Sequence, residues 1–180
     1  MMLVSAADER VAVYDTAGRV TGAAPRNEVY RRGLWHAATG VLVRSGDGER
    51  VVLHRRAADK LVFADTWDCW AGGVVGAGED PVDAAVRELA EELGITGVEL
   101  NALPRSVYDG AVEGGRVRYH AFLFEARWDG PLRPEPTEIS WVGWVSLAEL
   151  AERLAAPKEW PFAPDGRAGV QRWLAARDDA

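Results

Sequence analysis

The residues best suited to catalysis in this 180-residue chain lie close together in GGVVGAGEDPVDAAVRELAEELGI, at positions 72–95. Near one end of a predicted helix, this stretch places Glu88, Glu91 and Glu92 within five positions. Like charges three or four positions apart on a helix repel each other. At about 100° per residue the three side chains share one helix face. They could therefore converge on a hard divalent cation such as magnesium, which prefers oxygen ligands.

The helix that must position these glutamates is predicted between Asp80 and Gly94. Asp80 suits the N-cap, the following proline suits the first helical position, and Gly94 suits the position after the last turn. Apolar residues recur at three- and four-residue spacing and predict a stripe packed on a core: Val82, Ala85, Val86, Leu89 and Leu93. The glutamates lie roughly opposite this stripe, with Arg87 beside them as a partial counter-charge. A solvated acidic face is the alternative, although such faces usually mix both signs of charge.

The rest of the chain predicts an α+β fold, in which a mixed sheet and flanking helices form an α/β/α sandwich. Strands are predicted on both sides of a turn at residues 16–18, and in HAATGVLVR, RVVLHRR, WDCWAGGVV, GVEL, RSVYDGAVEGGRVRYHAFLFEARW and WVGWVS. Further helices are predicted in PRNEVYRRG, LAELAERLAA and VQRWLAARDD. No internal repeat is visible, and the length suits a single domain over residues 1–180.

Composition limits the classes of partner. The net charge of −7 argues against binding to nucleic-acid polymers or anionic membranes, but it permits a small anionic ligand held through a metal ion. The single cysteine, Cys69, cannot form an internal disulfide, and no run of about 18 apolar residues exists. These features predict a cytoplasmic protein without a membrane span, as a monomer or a homodimer. Cys69 is predicted to be a small buried residue. Most of the eight tryptophans are expected in packing, and some could line a pocket.

The opening stretch resembles the Nudix box. Gly73, five residues, Glu79, seven residues and then RELAEELGI match that motif at every defined position, over residues 73–95. The resemblance implies a Nudix fold, in which the box forms a loop, a helix and a loop. It also implies hydrolysis of a nucleoside diphosphate linked to another group, or of a related small-molecule diphosphate. The implied cofactor is Mg²⁺, for which Mn²⁺ could substitute.

The resemblance implies roles for residues within the box. Glu88, Glu91 and Glu92 look like the metal ligands of the family, and Glu91 and Glu92 are also counted as catalytic. Arg87 resembles the residue that orients these carboxylates, and Glu79 resembles the carboxylate associated with the helix. A bound metal ion would polarise a phosphoryl oxygen while water attacks phosphorus.

A further acid is predicted outside the box. Glu135 and Glu138 lie in the Pro-rich loop before WVGWV, where Nudix hydrolases often place another metal ligand or a general base. The spacing of Glu138 to Trp144 fits this role better than the spacing of Glu135 does. Glu138 is therefore predicted to be catalytic. A solvated loop acid is the alternative.

Other segments resemble isopentenyl-diphosphate isomerases and the hydrolases related to them. LWHAATGVLV, RRAADK, DTWD, WVSLAEL and WPFAP follow in the same order over about residues 8–165. In these relatives RRAADK resembles a diphosphate contact, which predicts substrate binding by Arg55, Arg56 and Lys60; a solvated hairpin end is the alternative. His36 is predicted to contact substrate or to have a structural role, because a single histidine is a poor metal site.

An isomerase is the main alternative function. That chemistry needs a cysteine just before the glycine that opens the box and a histidine soon after it. This chain has Gly72 and Val74 at those positions, and the isomerase's metal-binding carboxylates fall near Arg116 and Arg118. The sequence therefore favours a hydrolase. A Nudix domain that binds a nucleotide or metabolite as a sensor, without turnover, is the third possibility, and the intact glutamates count against it.

Overall fold

The structure is a computed structural model that describes residues 9–178. Within these residues the chain has an α+β fold with ten strands and four helices. The strands are β1 (Arg10–Tyr14), β2 (Val20–Pro25), β3 (Trp35–Arg44), β4 (Arg50–Arg56), β5 (Trp67–Asp68), β6 (Trp70–Ala71), β7 (Asn101–Ala102), β8 (Ser106–Val112), β9 (Gly115–Arg127) and β10 (Ile139–Ser146). The helices are α1 (Arg26–Arg32), α2 (Pro81–Leu93), α3 (Leu147–Ala155) and α4 (Pro164–Asp178).

The described strands form two sheets. β1 and β2 pair in antiparallel orientation as a two-stranded sheet. In the larger sheet β10, β4, β3, β9 and β7 are neighbours in that order, while β5 pairs with β4, β6 with β3, and β8 with β9. The β10–β4, β3–β4 and β8–β9 pairs are antiparallel. Strands that are distant in sequence therefore become neighbours, which the hairpin patterns alone do not predict.

The chain divides into two compact units, and β3, α2 and β9 contribute residues to both. The first unit contains the described residues up to Gly40, residues 72–88 and residues 101–124. Its apolar residues form two clusters, one around Val11 and Val29 and the other around Ala37 and Val75. Helix α1 ends at Gly33, whose φ of 58° is the left-handed conformation that favours glycine.

The second unit contains residues 41–71, 89–100 and those from Glu125 onward. The central part of β4, residues 51–54, is buried, as expected for a strand with neighbours on both sides. Ser146 is the N-cap of helix α3, and its side chain accepts a hydrogen bond of 3.1 Å from the backbone N–H of Glu149. Leu150 and Leu154 form the buried side of α3, at the predicted four-residue spacing.

Helix α2 has the predicted ends. The Asp80 carboxylate accepts a 2.9 Å hydrogen bond from the N–H of Val82, and Gly94 adopts a φ of 67° after the last turn. The predicted apolar stripe was partly wrong, because Val82 and Val86 are 46% and 48% exposed. The buried side includes Ala84 and the charged residue Glu92. The buried face of the helix therefore lies closer to its acidic residues than the predicted stripe did.

Two other predictions of secondary structure were wrong. GVEL is not a strand; the short strand β7 follows it at Asn101–Ala102. The final helix starts at Pro164, earlier than predicted, within a segment that contains Gly166 and Gly169. Glycines disfavour a helix, but tertiary packing requires them here. A Cβ at Gly166 would overlap the Asp68 carboxylate, and one at Gly169 would lie 3.0 Å from the Trp70 indole nitrogen.

Candidate active site

Arg87 connects two carboxylates of the box. Its Nε and Nη2 donate to the Glu79 carboxylate at 2.8 and 3.0 Å, and its Nη1 donates to Glu88 Oε1 at 2.7 Å. The backbone N–H of Gly76 donates to Glu79 Oε2 at 2.9 Å. Glu79 precedes α2 and Arg87 lies within it, so this fork fixes the loop against the helix.

This contact network alters the acid–base properties of its members. Hydrogen bonds from the Arg87 side chain hold the pKa of Glu79 below its usual value. The same bonds, with the nearby charge of Glu88, raise the pKa of Arg87. The side chains are 14–33% exposed, so the pairs are only partly screened by solvent. Glu79 and Arg87 therefore stay ionised at neutral pH.

Gly73 provides space for Glu88. A Cβ at Gly73 would lie 2.5 Å from Glu88 Oε1, closer than such contacts allow. The Glu88 carboxylate thus packs directly against the backbone that precedes the loop. The first glycine of the box is needed for this close approach, because any side chain would displace the carboxylate.

The three glutamates of α2 differ in exposure. Glu92 is 3% exposed, Glu91 is exposed, and the Glu88 side chain is 14% exposed. Their carboxylate oxygens are the donor type that a hard divalent cation prefers, so the donor set fits such a metal. Within residues 9–178 no three His, Cys, Asp or Glu side chains are arranged to hold an ion, and Glu88 is directed at Arg87. The metal assignment of these residues stays a prediction.

Glu138 forms an ion pair with Lys60 across 78 positions of sequence. Its backbone is fixed as well: the Ala57 N–H donates to the Glu138 carbonyl at 2.9 Å. The Glu135 N–H donates to the carbonyl of Glu92 at 3.0 Å, which ties the loop before β10 to the end of α2. The predicted acid of this loop therefore has a cationic partner that its spacing along the chain did not reveal.

The other two cations of RRAADK also bind their own chain. Arg56 donates from Nε and Nη2 to the carbonyl oxygens of Phe63 and Val62, at 3.1 and 3.2 Å. Arg55 forms a 2.9 Å ion pair with Asp65. These bonds close the loop at residues 57–66, in which Phe63 and Asp65 have φ values of 53° and 58°. Substrate binding by the three cations stays a prediction, and Arg55 and Lys60 would first have to exchange partners.

His36 is buried in an aromatic setting. It is 1% exposed, and its ring lies 5.6 Å from the rings of Tyr30 and Tyr119. Burial lowers the pKa of His36 to about 4, so the imidazole is neutral at physiological pH. Packing against two tyrosines supports the structural role that was one of its two predicted roles.

Gly72 lies against the backbone of β3. A Cβ at this position would overlap the carbonyl oxygen of Thr39 and approach the Cα of Gly40. Neither contact can be relieved by turning a side chain, so no cysteine fits here without moving the strand. Cys69 is 2% exposed and burial raises the pKa of its thiol, which confirms the prediction of a small buried residue.

Arginines occupy the positions at which the isomerase would place metal-binding carboxylates. Arg116 donates from Nε to the Asp109 carboxylate at 2.5 Å. Arg118 donates to the carbonyl oxygen of Gly33, and its guanidinium lies 5.6 Å from the centroid of the Trp35 ring. Two positive charges at these positions disfavour a divalent cation there.

Three tryptophans form a surface group, which we call the tryptophan cluster: Trp67, Trp141 and Trp160. Most tryptophans were expected in packing and some in a pocket, but these three were not singled out, and Trp141 is 44% exposed. One signal was present in the sequence. Gly143 follows Trp141 by two positions in the predicted strand, and residues two apart lie on the same face of a strand.

Comparison with known proteins gives the family. The family model described as NUDIX domain matches residues 34–166. The chain is 49% identical over 167 residues to "Uncharacterized Nudix hydrolase orf19" of Rhodococcus erythropolis, covering 90% of each chain. It is 37% identical over 137 residues to an isopentenyl-diphosphate Delta-isomerase of Cereibacter sphaeroides, covering 74% of this chain and 75% of that one. The chain therefore belongs to the NUDIX family.

A solved structure shows the same fold. The crystal structure of DR0079 from Deinococcus radiodurans matches with a TM-score of 0.66 at 23% identity, over 82% of this chain and 90% of that one. The predicted Nudix fold is thus confirmed, and the relatives show that the protein is a Nudix hydrolase. Among the described helices, none combines the length and the apolar character needed to cross a membrane.

Proposed function

We propose that this protein hydrolyses a diphosphate bond, with Mg²⁺ as cofactor and Mn²⁺ as a possible substitute. Its substrate would be a nucleoside diphosphate linked to another moiety, or a related small-molecule diphosphate. The fork from Arg87 to Glu79 and Glu88 is the observation that carries this proposal. It fixes the loop against the helix that carries the three glutamates, whose carboxylate oxygens are the ligand type that a hard divalent cation prefers.

Each residue of the proposed site has a distinct task. Glu88, Glu91 and Glu92 would hold the cation, which when bound supplies Lewis-acid activation of a phosphoryl oxygen. Arg87 orients Glu88. As water forms its bond to phosphorus and the bridging P–O bond breaks, Glu138 would accept the proton of the water. Lys60, which forms an ion pair with Glu138, would position its carboxylate for that transfer.

The isomerase function is disfavoured because its thiol has no room and because other groups that it needs are missing. Its thiol would stand at Gly72, where Thr39 leaves no room for a Cβ. Its metal would need carboxylates where Arg116 and Arg118 lie, and His36 is packed among tyrosines. We therefore interpret the similarity to isopentenyl-diphosphate isomerases as shared ancestry of the scaffold, with different chemistry.

The proposal is tested with a substrate panel. The protein is incubated with nucleotides, dinucleotides and prenyl diphosphates in Mg²⁺, in Mn²⁺ or in chelator, and released phosphate is measured with and without added phosphatase. We expect cleavage that requires a divalent cation. Glu92→Gln should reduce it at least about 100-fold, because it removes a charged metal ligand without changing volume. Glu113→Gln, in the exposed β8–β9 turn, is the matched control.

Three outcomes would contradict the proposal. Undiminished cleavage by Glu92→Gln would show that Glu92 is not a required metal ligand. Conversion of isopentenyl diphosphate to its isomer would support the isomerase function instead. Tight binding of a panel member without cleavage would favour a sensor. Thermal unfolding of each variant separates loss of function from loss of fold.

A further inference from the structure

Strand β10 forms one edge of the larger sheet. It is the terminal strand in the sheet order, and within residues 9–178 it pairs with β4 alone. A strand between two neighbours can pair all of its backbone N–H and C=O groups, whereas an edge strand directs alternate groups away from the sheet. Because β10 is eight residues long, it presents a row of such groups with which another extended strand can pair.

The composition of β10 gives this edge no protection. Proteins usually block an exposed edge with charged residues, with proline or by keeping the strand very short. The sequence of β10, ISWVGWVS, contains neither a charged residue nor a proline. Two other described strands with one neighbour follow the rule, since β7 has only two residues and β8 carries Asp109 in an ion pair with Arg116. A long, uncharged edge such as β10 is typical of a strand that pairs with another chain.

Apolar side chains on β10 are accessible to a partner. Trp141 is 44% exposed, and Val142 and Trp144 are half-buried. The Trp141 indole extends along its own strand, because a Cβ at Gly143 would lie 2.5 Å from Cη2 of that ring. A glycine inside a strand often marks a place where another backbone approaches closely. The edge thus offers apolar contacts beside its backbone hydrogen-bonding groups.

A second copy of this chain is the partner that these features favour. The net charge of −7 disfavours self-association through charged surfaces, whereas two uncharged β10 strands can meet without opposing like charges. Two such strands related by a two-fold axis present the same groups to each other, so both edges are covered and the assembly closes. We infer that the protein forms a homodimer through antiparallel pairing of β10 with the partner subunit's β10.

The symmetry of such a pair limits its register. Opposed residues of an antiparallel pair project to the same face of the sheet. A two-fold axis preserves this arrangement only if it passes beside a residue that opposes its own counterpart. The overlap of β10 with itself is greatest when that residue is Val142 or Gly143, the two central positions of the strand. In both registers Val142 lies opposite its counterpart or two positions from it, so a charge added at Val142 would meet its own copy.

Sedimentation velocity over a series of protein concentrations tests the inference. One pair of strands buries a small interface, so we expect the wild type to pass reversibly from monomer to dimer as its concentration rises. Val142→Lys and Val142→Glu should each raise the dissociation constant of the dimer at least about 10-fold, because like charges meet. An equimolar mixture of these two variants should dimerise again, because opposite charges then meet. Trp141→Lys, at the more exposed neighbouring position, should also weaken the dimer.

Val107→Lys is the matched control. Val107 lies on β8 and is 60% exposed, so this change also replaces an accessible valine by lysine, but away from β10. It should leave the dissociation constant unchanged. Hydrogen exchange adds a measurement specific to the strand: backbone amides within residues 139–146 should exchange more slowly in concentrated than in dilute wild-type protein, because pairing protects them.

Three results would overturn the inference. The first is a wild type that sediments as a monomer at every concentration. The second is a dimer that Val142→Lys, Val142→Glu and Trp141→Lys all leave intact, because its contact would then lie elsewhere. The third is a mixture of the folded lysine and glutamate variants that stays monomeric. None of these measurements involves a substrate, so the proposed hydrolysis is tested separately.

Discussion

Two carboxylates of this protein are held by cations in contrasting ways. Glu88 is bound by Arg87, its immediate neighbour on α2, and Glu138 by Lys60, 78 positions away. The first contact is determined by one helix and its preceding loop. The second requires the loop at residues 57–66 and the segment before β10 to be folded together. A short motif can therefore specify the first contact completely, whereas the second depends on the tertiary fold.

The largest effect on activity should come from displacing Glu88, the carboxylate whose contact with Arg87 is local. Gly73→Ala would press a methyl group against Glu88, so we expect hydrolysis to fall about 100-fold through misplacement of a catalytic group. Gly22→Ala is the control, because nothing lies within 4 Å of a Cβ there. Initial rates on the best substrate of the panel give the measurement. Activity within twofold of wild type would show that Glu88 need not occupy this position.

The next effect concerns the stability of the same network. Arg87→Gln removes three charge-assisted hydrogen bonds and leaves Glu79 and Glu88 without their shared donor. We expect a loss of about 1–2 kcal/mol in the free energy of unfolding, discounted for partial exposure. Urea denaturation measures it. Arg19→Gln, in an exposed pair with Asp15, is the control and should leave the urea midpoint unchanged.

The long-range pair should give a smaller effect of a different kind. Lys60→Met removes the cation from Glu138 but keeps the length of the side chain. We expect kcat to fall about 10-fold with little change in KM, because Lys60 acts here through Glu138. Steady-state kinetics on wild type and variant decide this. A rise in KM at constant kcat would instead support the predicted diphosphate contact of Lys60.

The smallest effect is expected at a buried carboxyl held by backbone. Asp68 is 6% exposed and accepts hydrogen bonds from the N–H groups of Cys69 and Trp70. Burial and the charge of Asp165 raise the pKa of Asp68. The folded state thus keeps a proton that the unfolded chain loses above about pH 4, and stability falls as pH rises from there toward the folded pKa.

Asp68→Asn should remove that dependence. We expect up to about 1 kcal/mol of added stability near pH 8 and a flatter profile of unfolding free energy between pH 5 and pH 8. Asp59→Asn, at an exposed position, is the control and should leave the profile unchanged. A variant that is less stable than wild type at every pH would show that the carboxyl is needed for reasons other than its charge.

The sequence predicted features that depend on neighbours along the chain. Both ends of α2 and the acidic motif follow from spacing, caps and periodicity. Features set by distant contacts were missed or wrong. Val82 and Val86 fit an apolar stripe but face solvent, whereas Ala84 and Glu92 are buried. The start of α4 was missed because Gly166 argues locally against a helix, while Asp68 requires a glycine there.

The candidate site also contains features that neighbours along the chain determine and features that distant contacts determine. The type and spacing of Glu79, Arg87 and Glu88 in the sequence match the fork that the structure contains. The partners of the basic stretch could not be predicted, because Arg55, Arg56 and Lys60 each bind a group that only loop closure brings near. The tryptophan cluster was missed for a related reason: three tryptophans from separate segments look like core residues until the strand register aligns them.

The close approach of Gly72 to Thr39 bears on how readily such a scaffold changes its reaction. A cysteine at Gly72 would displace the β3 backbone at Thr39 and Gly40, against which the site is built. The thiol alone would bring no isomerase activity, because Val74, Arg116 and Arg118 lack the other groups which that reaction needs. The first change would therefore disturb the existing site before later changes could complete a new one. Protein engineers who seek isomerase activity here should begin by redesigning β3 around Thr39 and Gly40, before they introduce the thiol.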